Sequence, residues 1–172
     1  FKDRPIIAST RAGNVIGGGD WAEKRIVPDI VGCLNSGKPL VLRNPHSVRP
    51  WQHVLDPLNG YLLLASRMLE GDANAAQAWN FGPGGKPHTV KEVAEMMMAA
   101  WGRKVPIEII PNQGYQESKL LMLDWSKAAD ELRWRPLLDI HHALSYTVDW
   151  YKAWSEGSDM VKVTDRQIGS FW

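Results

Sequence analysis

Residues 6–20 read IIASTRAGNVIGGGD, an apolar and β-branched run that ends in three glycines and an aspartate. Such a run, bounded by turn residues, is typical of a buried β-strand that leads into a loop. Loops that follow strands often carry ligand-binding residues, because a rigid sheet positions them. We therefore predict a buried strand over residues 6–16 and a functional loop after it.

Helical and extended patterns alternate along the rest of the chain. Helices are predicted at 27–36, 57–70, 90–101, 126–132 and 140–154, and strands at 40–42, 52–54, 78–81, 105–110 and 120–123. Asp56 is expected to cap the second helix, and Thr89 with Glu92 forms a capping box for the third. The alternation, without repeats or a low-complexity linker, indicates one α/β unit. We predict that residues 161–172 form a tail.

The composition is that of a nearly neutral globular protein. Of its 172 residues, 44% are hydrophobic and 23% charged, and the formal net charge is +1. These values exclude a disordered or collagen-like chain and leave no broad basic field for nucleic acid. No stretch approaches about 18 uninterrupted apolar residues, so we expect no membrane partner. The single cysteine, Cys33, and the lack of a secretion-signal pattern predict a cytoplasmic location. Because the chain begins with Phe1, we expect that the natural polypeptide is longer.

Two motif-like patterns favour ordinary structural roles. The histidines lack the His-x-x-x-His spacing that places two imidazoles on one helix face, so no metal site is expected, and His53 is interpreted as a hydrogen-bonded structural residue. Tyr115 and Lys119 match Tyr-x-x-x-Lys, in which an ammonium group lowers the pKa of a phenol for acid–base work. Gly114 and Pro111 argue against the helix that this pairing needs.

Several positions are suited to an anionic or flat ligand. The glycines at 13 and 17–19 complete neither a dinucleotide fingerprint nor a phosphate loop. Small residues at Ala12 and Gly13 permit close approach of a flat ligand, and Asn14 offers a donor and an acceptor. Four basic residues come from separate segments: Arg25, Arg43, Arg49 and Lys119. Any one of them is explained by solvation, but a group of them would fit a diphosphate.

A set of longer stretches carries a family resemblance. They read RAGNVIGGGDW at 11–21, IVPD at 26–29, RNP at 43–45, RPWQHVLDPL at 49–58, WNFGP at 79–83 and LMLDWSKA at 121–128. Over roughly residues 6–155 the chain resembles the CDP-glucose 4,6-dehydratases, a family of extended short-chain dehydrogenase/reductases. A series of motifs in one order is far more specific than any one of them.

The resemblance implies an α/β fold and one part of a larger enzyme. Residues 1–160 would form the nucleotide-sugar-binding C-terminal lobe, opening on the last strand of a Rossmann-type parallel sheet near 6–16. In the family, the glycine-rich loop, the Ser/Thr-Asp-Glu group and the Tyr-x-x-x-Lys pair all lie upstream of the Arg-x-x-Asn strand. That order excludes Tyr115 and Lys119 as the catalytic pair, so we expect no catalytic residue in this chain.

The resemblance also implies an activity. The parent enzyme would bind NAD, oxidise C4 of the hexose of CDP-D-glucose, eliminate water across C5 and C6, and return the hydride to C6. It would be a homo-oligomer, and the isolated chain would be inactive. A related epimerase or decarboxylase, or a non-enzymatic sugar-nucleotide or protein-binding module, stays open as an alternative. The stretch 43–57 favours the dehydratase over the epimerase.

Site residues follow from the same resemblance. Asn14 and Arg49 would contact the phosphates, Arg25 and Ile26 would flank the nucleotide, and Arg43 would lie near the base. Asn80 would close the pocket and Lys119 would add a basic contact, while Ala12 and Gly13 would contact NAD. The chain departs from the family pattern at Gln116, where a histidine is usual, and at Arg133, where a glycine is usual.

Overall fold

The computed structural model describes residues 7–110 and 118–172. The described strands are Ser9–Ala12 (β1), Asn14–Ile16 (β2), Leu40–Leu42 (β3), Val48–Arg49 (β4), Trp51–His53 (β5), Ala78–Phe81 (β6), His88–Thr89 (β7) and Ile107–Ile109 (β8). The described α-helices are Ile26–Ser36 (α1), Leu55–Leu69 (α2), Val90–Trp101 (α3), Ser126–Glu131 (α4), Ile140–Ser155 (α5) and Met160–Phe171 (α6). Strands and helices alternate, as the sequence predicts.

The described strands associate in pairs. The pairs β1–β6, β2–β5 and β3–β8 are parallel, and β4–β7 is antiparallel. Helices lie between the partners of each parallel pair in the sequence, which is the arrangement that parallel pairing requires. Helices α1, α2 and α3 therefore lie in crossovers that return the chain to the same end of its partner strand.

The predicted strand at 6–16 is divided in two at Gly13. A Cβ atom placed on Gly13 would lie 2.1 Å from the carbonyl oxygen of Pro50, so no larger residue fits there. Before Gly13 the chain forms β1, which pairs with β6. After Gly13 it forms β2, which pairs with β5. The expectation of a buried strand is wrong for β1, whose Ser9, Thr10 and Arg11 are exposed. Only Ile16 of β2 is buried.

Helices α1 and α3 confirm their sequence signals. In α1, Pro28 stands in the first turn, where a missing N–H costs no hydrogen bond. In α3, the Glu92 amide donates to Thr89 Oγ1 at 3.2 Å, and the Thr89 amide donates to Glu92 Oε2 at 2.7 Å. This reciprocal capping box fixes the start of α3, whose buried face joins the buried faces of α1 and α5 in the larger of two apolar clusters.

Helix α2 begins earlier than predicted, at Leu55, so Asp56 lies inside its first turn and is not its cap. The buried Asp56 carboxylate instead accepts hydrogen bonds from the Leu137 amide at 2.7 Å and the Leu138 amide at 3.3 Å. Asp56 therefore joins α2 to the segment before α5. Asp56, predicted to cap α2, thus binds residues that lie 81 and 82 positions later in the chain.

Two further segments differ from the sequence expectations. Residues 120–123 are not a strand, since Leu120 makes only an isolated bridge with Val48. The predicted tail at 161–172 is largely helix α6, which buries Val163 and Phe171 against the rest of the molecule. Asp159 caps this helix, because its carboxylate accepts from the amides of the first turn.

Candidate nucleotide-sugar site

A cleft of about 640 Å³ opens where β2, the start of α1 and the β4–β5 segment meet. It is lined by five of the residues singled out from the sequence, Gly13, Asn14, Arg25, Ile26 and Arg49. These residues come from three separate stretches of chain, so their convergence is a property of the fold. The cleft thus joins an amide, two guanidinium groups and an apolar side chain on one surface.

The wall that carries Asn14 is fixed by its neighbours. The backbone N–H of Asn14 donates to the Pro50 carbonyl at 2.8 Å, and Asn14 is in register with Trp51 of β5. The buried Trp51 indole donates to the His88 carbonyl at 3.2 Å, which anchors the other side of the wall. Because both backbones are held, the half-buried Asn14 side chain is presented from a rigid surface.

Arg49 is the most constrained cation of the cleft. Its Nη1 atom donates to the carbonyl oxygens of Val48 at 2.9 Å and Ser118 at 2.8 Å. The Val48 amide in turn donates to the Lys119 carbonyl at 2.9 Å. The backbone of Lys119 therefore lies beside β4, but its exposed side chain does not line this cleft.

Arg25 lies at the end of the loop that follows β2. Its Nη1 atom is 3.4 Å from Asp20 Oδ2, and its side chain is 65% exposed. An ion pair this exposed contributes little to stability and is easily exchanged for a phosphate contact. Asp20 also accepts a hydrogen bond from the Ala22 amide, so the loop is ordered around its carboxylate.

Arg43 lies in a second, adjoining groove of about 730 Å³ along α1 and β3. Both cavities share Lys24, Ile26, Pro28 and Val90. Burial raises the pKa of the nearby Asp29 carboxyl, and the positive charge of Arg43 partly offsets this increase. A ligand that extends past Ile26 would thus meet Arg43 in the second groove.

Asn80 and Ala12 line neither of these cavities. Asn80 lies on β6 and donates from Nδ2 to the Asp124 carbonyl at 2.9 Å, which ties β6 to the segment before α4. Ala12 is in register with Phe81 in the β1–β6 pair. Their assigned contacts with substrate and NAD remain predictions, and Tyr115 lies outside the described residues.

Gly13, which is predicted to contact NAD, is tightly packed. Gly13 borders the cleft, but the space where its Cβ would stand is taken by the Pro50 carbonyl, so its small size is explained by packing. Neither Gly13 nor Ala12 belongs to a glycine-rich phosphate-binding turn at a helix start.

His53 lies behind the cleft and is almost fully buried. Burial lowers its pKa to about 4, and its Nδ1 atom accepts a long hydrogen bond of 3.4 Å from the Leu55 amide. Its Nε2 atom is buried without a hydrogen-bond partner among the described residues. Its ring meets Tyr146 edge to face at 5.5 Å. His53 is thus a neutral structural residue, in line with the sequence interpretation.

Sequence reasoning missed several residues of the cleft. Asp20, Lys24 and Trp51 line it beside the predicted residues, and Val90 borders both cavities. Asp20 and Trp51 stand inside the stretches quoted for the family resemblance, so position in those motifs was the available signal. Val90 begins α3, and nothing in its local sequence pattern points to a ligand.

Within the described residues, the structure has neither a cluster of metal ligands nor a membrane-spanning helix. No group of three histidine, cysteine, aspartate or glutamate side chains is placed to hold a metal ion within residues 7–110 and 118–172. Among the helices that the structure describes, none combines the length and the apolar character needed to cross a bilayer.

Comparison with known proteins supports one family. No protein-family model matches the sequence. CDP-glucose 4,6-dehydratase of Salmonella typhimurium is 40% identical over 166 residues, which are 96% of this chain and 46% of that protein. The chain spans about half the length of the curated relatives it matches.

Solved structures agree on the fold. dTDP-glucose 4,6-dehydratase of Bacillus anthracis, in complex with NAD, matches with a TM-score of 0.72 and 24% identity over 88% of this chain and 46% of that one. UDP-glucuronic acid 4-epimerase of Bacillus cereus, in complex with UDP-glucuronic acid and NAD, matches with a TM-score of 0.73 and 18% identity over 87% and 46%. The predicted fold class is therefore confirmed. This chain is thus similar over nearly its whole length to a CDP-glucose 4,6-dehydratase, and it has the α/β fold of the C-terminal lobe of NAD-bound sugar-nucleotide dehydratases and epimerases.

Proposed function

We propose that the protein containing this chain is a NAD-dependent CDP-D-glucose 4,6-dehydratase and that this lobe supplies its nucleotide-sugar pocket. One observation carries the proposal: Asn14, Arg25, Ile26 and Arg49, which come from three stretches of chain, line one cleft. The similarity to the Salmonella dehydratase supports the choice of CDP-glucose over other sugar nucleotides.

The arrangement suits a diphosphate with a nucleoside on one side and a sugar on the other. Arg49 and Arg25 offer guanidinium groups, which pair bidentately with phosphate oxygens. The side-chain amide of Asn14 can donate to the same diphosphate. Ile26 offers an apolar surface at the entrance to the groove that holds Arg43. In this proposal the nucleoside extends toward Arg43 and the sugar lies toward Asn14.

The contribution of the lobe to the reaction is to bind and orient the substrate. His53, whose pKa is about 4, is buried behind the wall. Holding the diphosphate fixes the hexose relative to groups supplied from outside this lobe, which is a contribution of orientation.

The direct test measures product and nucleotide preference with the full-length protein. CDP-glucose and NAD are incubated with it, and the 4-keto sugar is detected by its absorbance in alkali. We expect this product from CDP-glucose, with much weaker turnover of dTDP-glucose and UDP-glucose. The isolated lobe, run in parallel, should give no product and no binding of NAD in calorimetry.

Each alternative gives a different result in the same experiment. A 4-epimer formed without loss of water would identify an epimerase, and CDP binding without any turnover would identify a binding module. Preferred turnover of UDP- or dTDP-glucose would keep the dehydratase but overturn the proposed base. Robust turnover by the isolated lobe would show that the chemistry lies within this chain. A cytoplasmic location and a homo-oligomeric state are further expectations of the proposal.

A further inference from the structure

We propose that Trp150, held in place by the C-terminal helix α6, is a positioning residue for the loop at 17–25 and thereby for Arg25. The inference rests on the proposed function, because it concerns how tightly the cleft holds a sugar nucleotide. It assigns a role in substrate binding to a helix that does not line the cleft.

The first step is the contact between Trp150 and the glycines. A Cβ atom placed on Gly18 would lie 2.0 Å from Cγ of the Trp150 ring, a distance at which no side chain fits. At Gly19 the backbone has a φ of 80°, and an added Cβ would meet the far edge of the same ring at 3.5 Å. The indole therefore lies against the loop backbone, and any side chain at Gly18 would force the loop or the ring to move.

The second step is the bond that fixes the ring. Trp150 Nε1 donates to Thr164 Oγ1 of α6 at 3.0 Å, which selects one orientation of the indole. Helix α6 is itself anchored, since Gln167 Nε2 donates to the Tyr146 carbonyl at 2.7 Å and Val163 is buried. The C-terminal helix thus acts as a brace on the outer side of α5.

The third step links the loop to Arg25. The Tyr151 hydroxyl donates to the Asp20 carbonyl at 2.6 Å, and Trp21 packs edge to face on Tyr151 at 5.2 Å. Beyond these anchors, the Asp20 carboxylate lies 3.4 Å from Arg25 Nη1. Helix α5 therefore holds the loop on the side of Gly18 and again at Asp20, shortly before Arg25 enters the cleft.

Helices α5 and α6 would preorganise the loop at 17–25 for ligand binding. A loop that begins with three glycines, as this one does, loses more conformational entropy on ordering than a loop without them. If the loop is already held by α5 and α6, that cost does not reduce the affinity of the ligand. The stretch expected to be a tail would then contribute to the affinity of a site about 140 residues earlier in the chain.

The test compares two substitutions of one hydroxyl group in the full-length protein. Thr164→Val removes the acceptor of the indole N–H, and Thr164→Ser keeps it. We expect the affinity for CDP, measured by calorimetry, to fall about tenfold in Thr164→Val and to stay within about twofold in Thr164→Ser. KM for CDP-glucose should rise in Thr164→Val, while kcat per folded enzyme stays nearly constant. Ser170→Ala removes another α6 hydroxyl, which bonds within its own helix, and serves as the control.

A double-mutant cycle tests the contact with the loop. Gly18→Ala should weaken CDP binding in the parent protein, because the new methyl group meets the indole. In a Trp150→Ala background the same change should have little further effect, since the ring is gone. A Gly18→Ala effect of equal size in both backgrounds would overturn the inference.

Each remaining outcome separates this inference from the proposed function. If the parent protein binds no CDP, the proposed function fails and no comparison of variants is needed. If the parent binds CDP and Thr164→Val binds it equally well, with only its thermal stability lowered, the brace is structural and the inference fails. If Gly18→Ala does not fold, the Thr164 pair alone decides.

Discussion

The Nη1 atom of Arg49 lies 2.8 Å from the carbonyl oxygen of Ser118, a residue 69 positions later in the chain. The same nitrogen also donates to the Val48 carbonyl. Two backbone acceptors therefore orient the guanidinium group at the wall of the cleft. A side chain held in this way loses little further freedom when an anion binds beside it.

We expect Arg49→Ala to reduce the affinity of the full-length protein for CDP by about 10- to 100-fold. The loss of one charge-assisted pair at a partly buried diphosphate costs about 1.5–3 kcal/mol. Arg49→Lys keeps the charge but loses the planar fork, so it should recover only part of the affinity. Calorimetry with CDP measures all three proteins.

Arg103→Ala is the matched control for Arg49. It removes an exposed arginine that lines neither the cleft nor the adjoining groove, so CDP should bind as in the parent. If Arg49→Ala binds CDP normally while Arg43→Ala or Lys119→Ala does not, the phosphate contact belongs to one of those residues. The placement of the diphosphate beside Arg49 would then be wrong.

The sequence correctly predicted those elements whose signals lie within the element or within a few residues of it. The capping box of Thr89 and Glu92 is present, and α1 and α3 lie where the apolar spacing placed them. The partner switch at Gly13 and the burial of Asp56 were not predictable, because each depends on a contact with a distant segment. The same holds for α6, whose anchoring bonds join it to Tyr146 and Trp150.

The residues of the candidate site were identified from the family motifs more than from the chemistry of single residues. Asn14, Arg25, Ile26 and Arg49 converge on the cleft, as the resemblance implied, although their spacing alone did not require it. Asn80 and Lys119 do not line it. Asn80 Nδ2 donates to a backbone carbonyl, and no sequence pattern distinguishes that use of an amide from ligand binding.

We expect Asp56→Asn to lower the free energy of unfolding by about 1–3 kcal/mol. The Asp56 carboxylate accepts from two backbone amides with its two oxygens, and an asparagine offers only one acceptor oxygen. One buried N–H would therefore face an amide NH₂ group and lose its partner. Urea unfolding followed by circular dichroism measures the change.

Asp149→Asn provides the control for this prediction. Asp149 is exposed on α5 and, among the described residues, accepts only a long hydrogen bond of 3.4 Å from Ser145, so the change should be within about 0.5 kcal/mol. Equal effects of the two substitutions would show that the bonds of Asp56 to Leu137 and Leu138 do not hold the two segments together.

The buried imidazole of His53 predicts a loss of stability in mild acid. Burial lowers its pKa to about 4 in the folded protein, against an ordinary value of 6.5. Between these two values the unfolded chain binds a proton that the folded protein does not, so stability falls as the pH decreases from 6.5 toward 4. The full difference corresponds to about 3 kcal/mol.

Urea unfolding at a series of pH values tests the role of His53. In His53→Gln this contribution should be absent, so the difference in unfolding free energy between variant and parent should change steadily across that pH window. His46→Gln, at an exposed position, should keep the slope of the parent. Parallel pH profiles for the parent and His53→Gln would contradict the assignment.

Arg133 has a φ of 60°, in the left-handed region, at the position where the family pattern usually has a glycine. This conformation costs a non-glycine residue about 1–2 kcal/mol, and glycine pays about 0.5–1 kcal/mol in unfolded-chain entropy. We therefore expect Arg133→Gly to raise the free energy of unfolding by up to about 1 kcal/mol. Arg135→Gly, two residues later and outside that region, should lower it. Stabilisation by both substitutions, or by neither, would show that the backbone angle is not the cause.

The outer edge of β1 predicts self-association of the isolated chain. Among the described residues, β1 pairs only with β6. The Ser9 amide donates to the Gln77 carbonyl at 3.0 Å, toward β6. Because successive amides of a strand point to opposite edges, the Thr10 amide points away from β6 and toward the outer edge. An outward row of backbone donors and acceptors favours pairing with another strand.

Small-angle scattering over a concentration series tests this edge, and we expect the apparent mass of the isolated chain to rise with concentration. Thr10→Pro removes the outward N–H and places a ring at the edge, so it should suppress the rise while leaving the pairing of Ser9 intact. Thr10→Ala keeps the amide and controls for loss of the side chain. A constant monomer mass for the parent would show that β1 is not an open edge in solution. Equal association of the proline and alanine variants would show that the chains associate through a different surface.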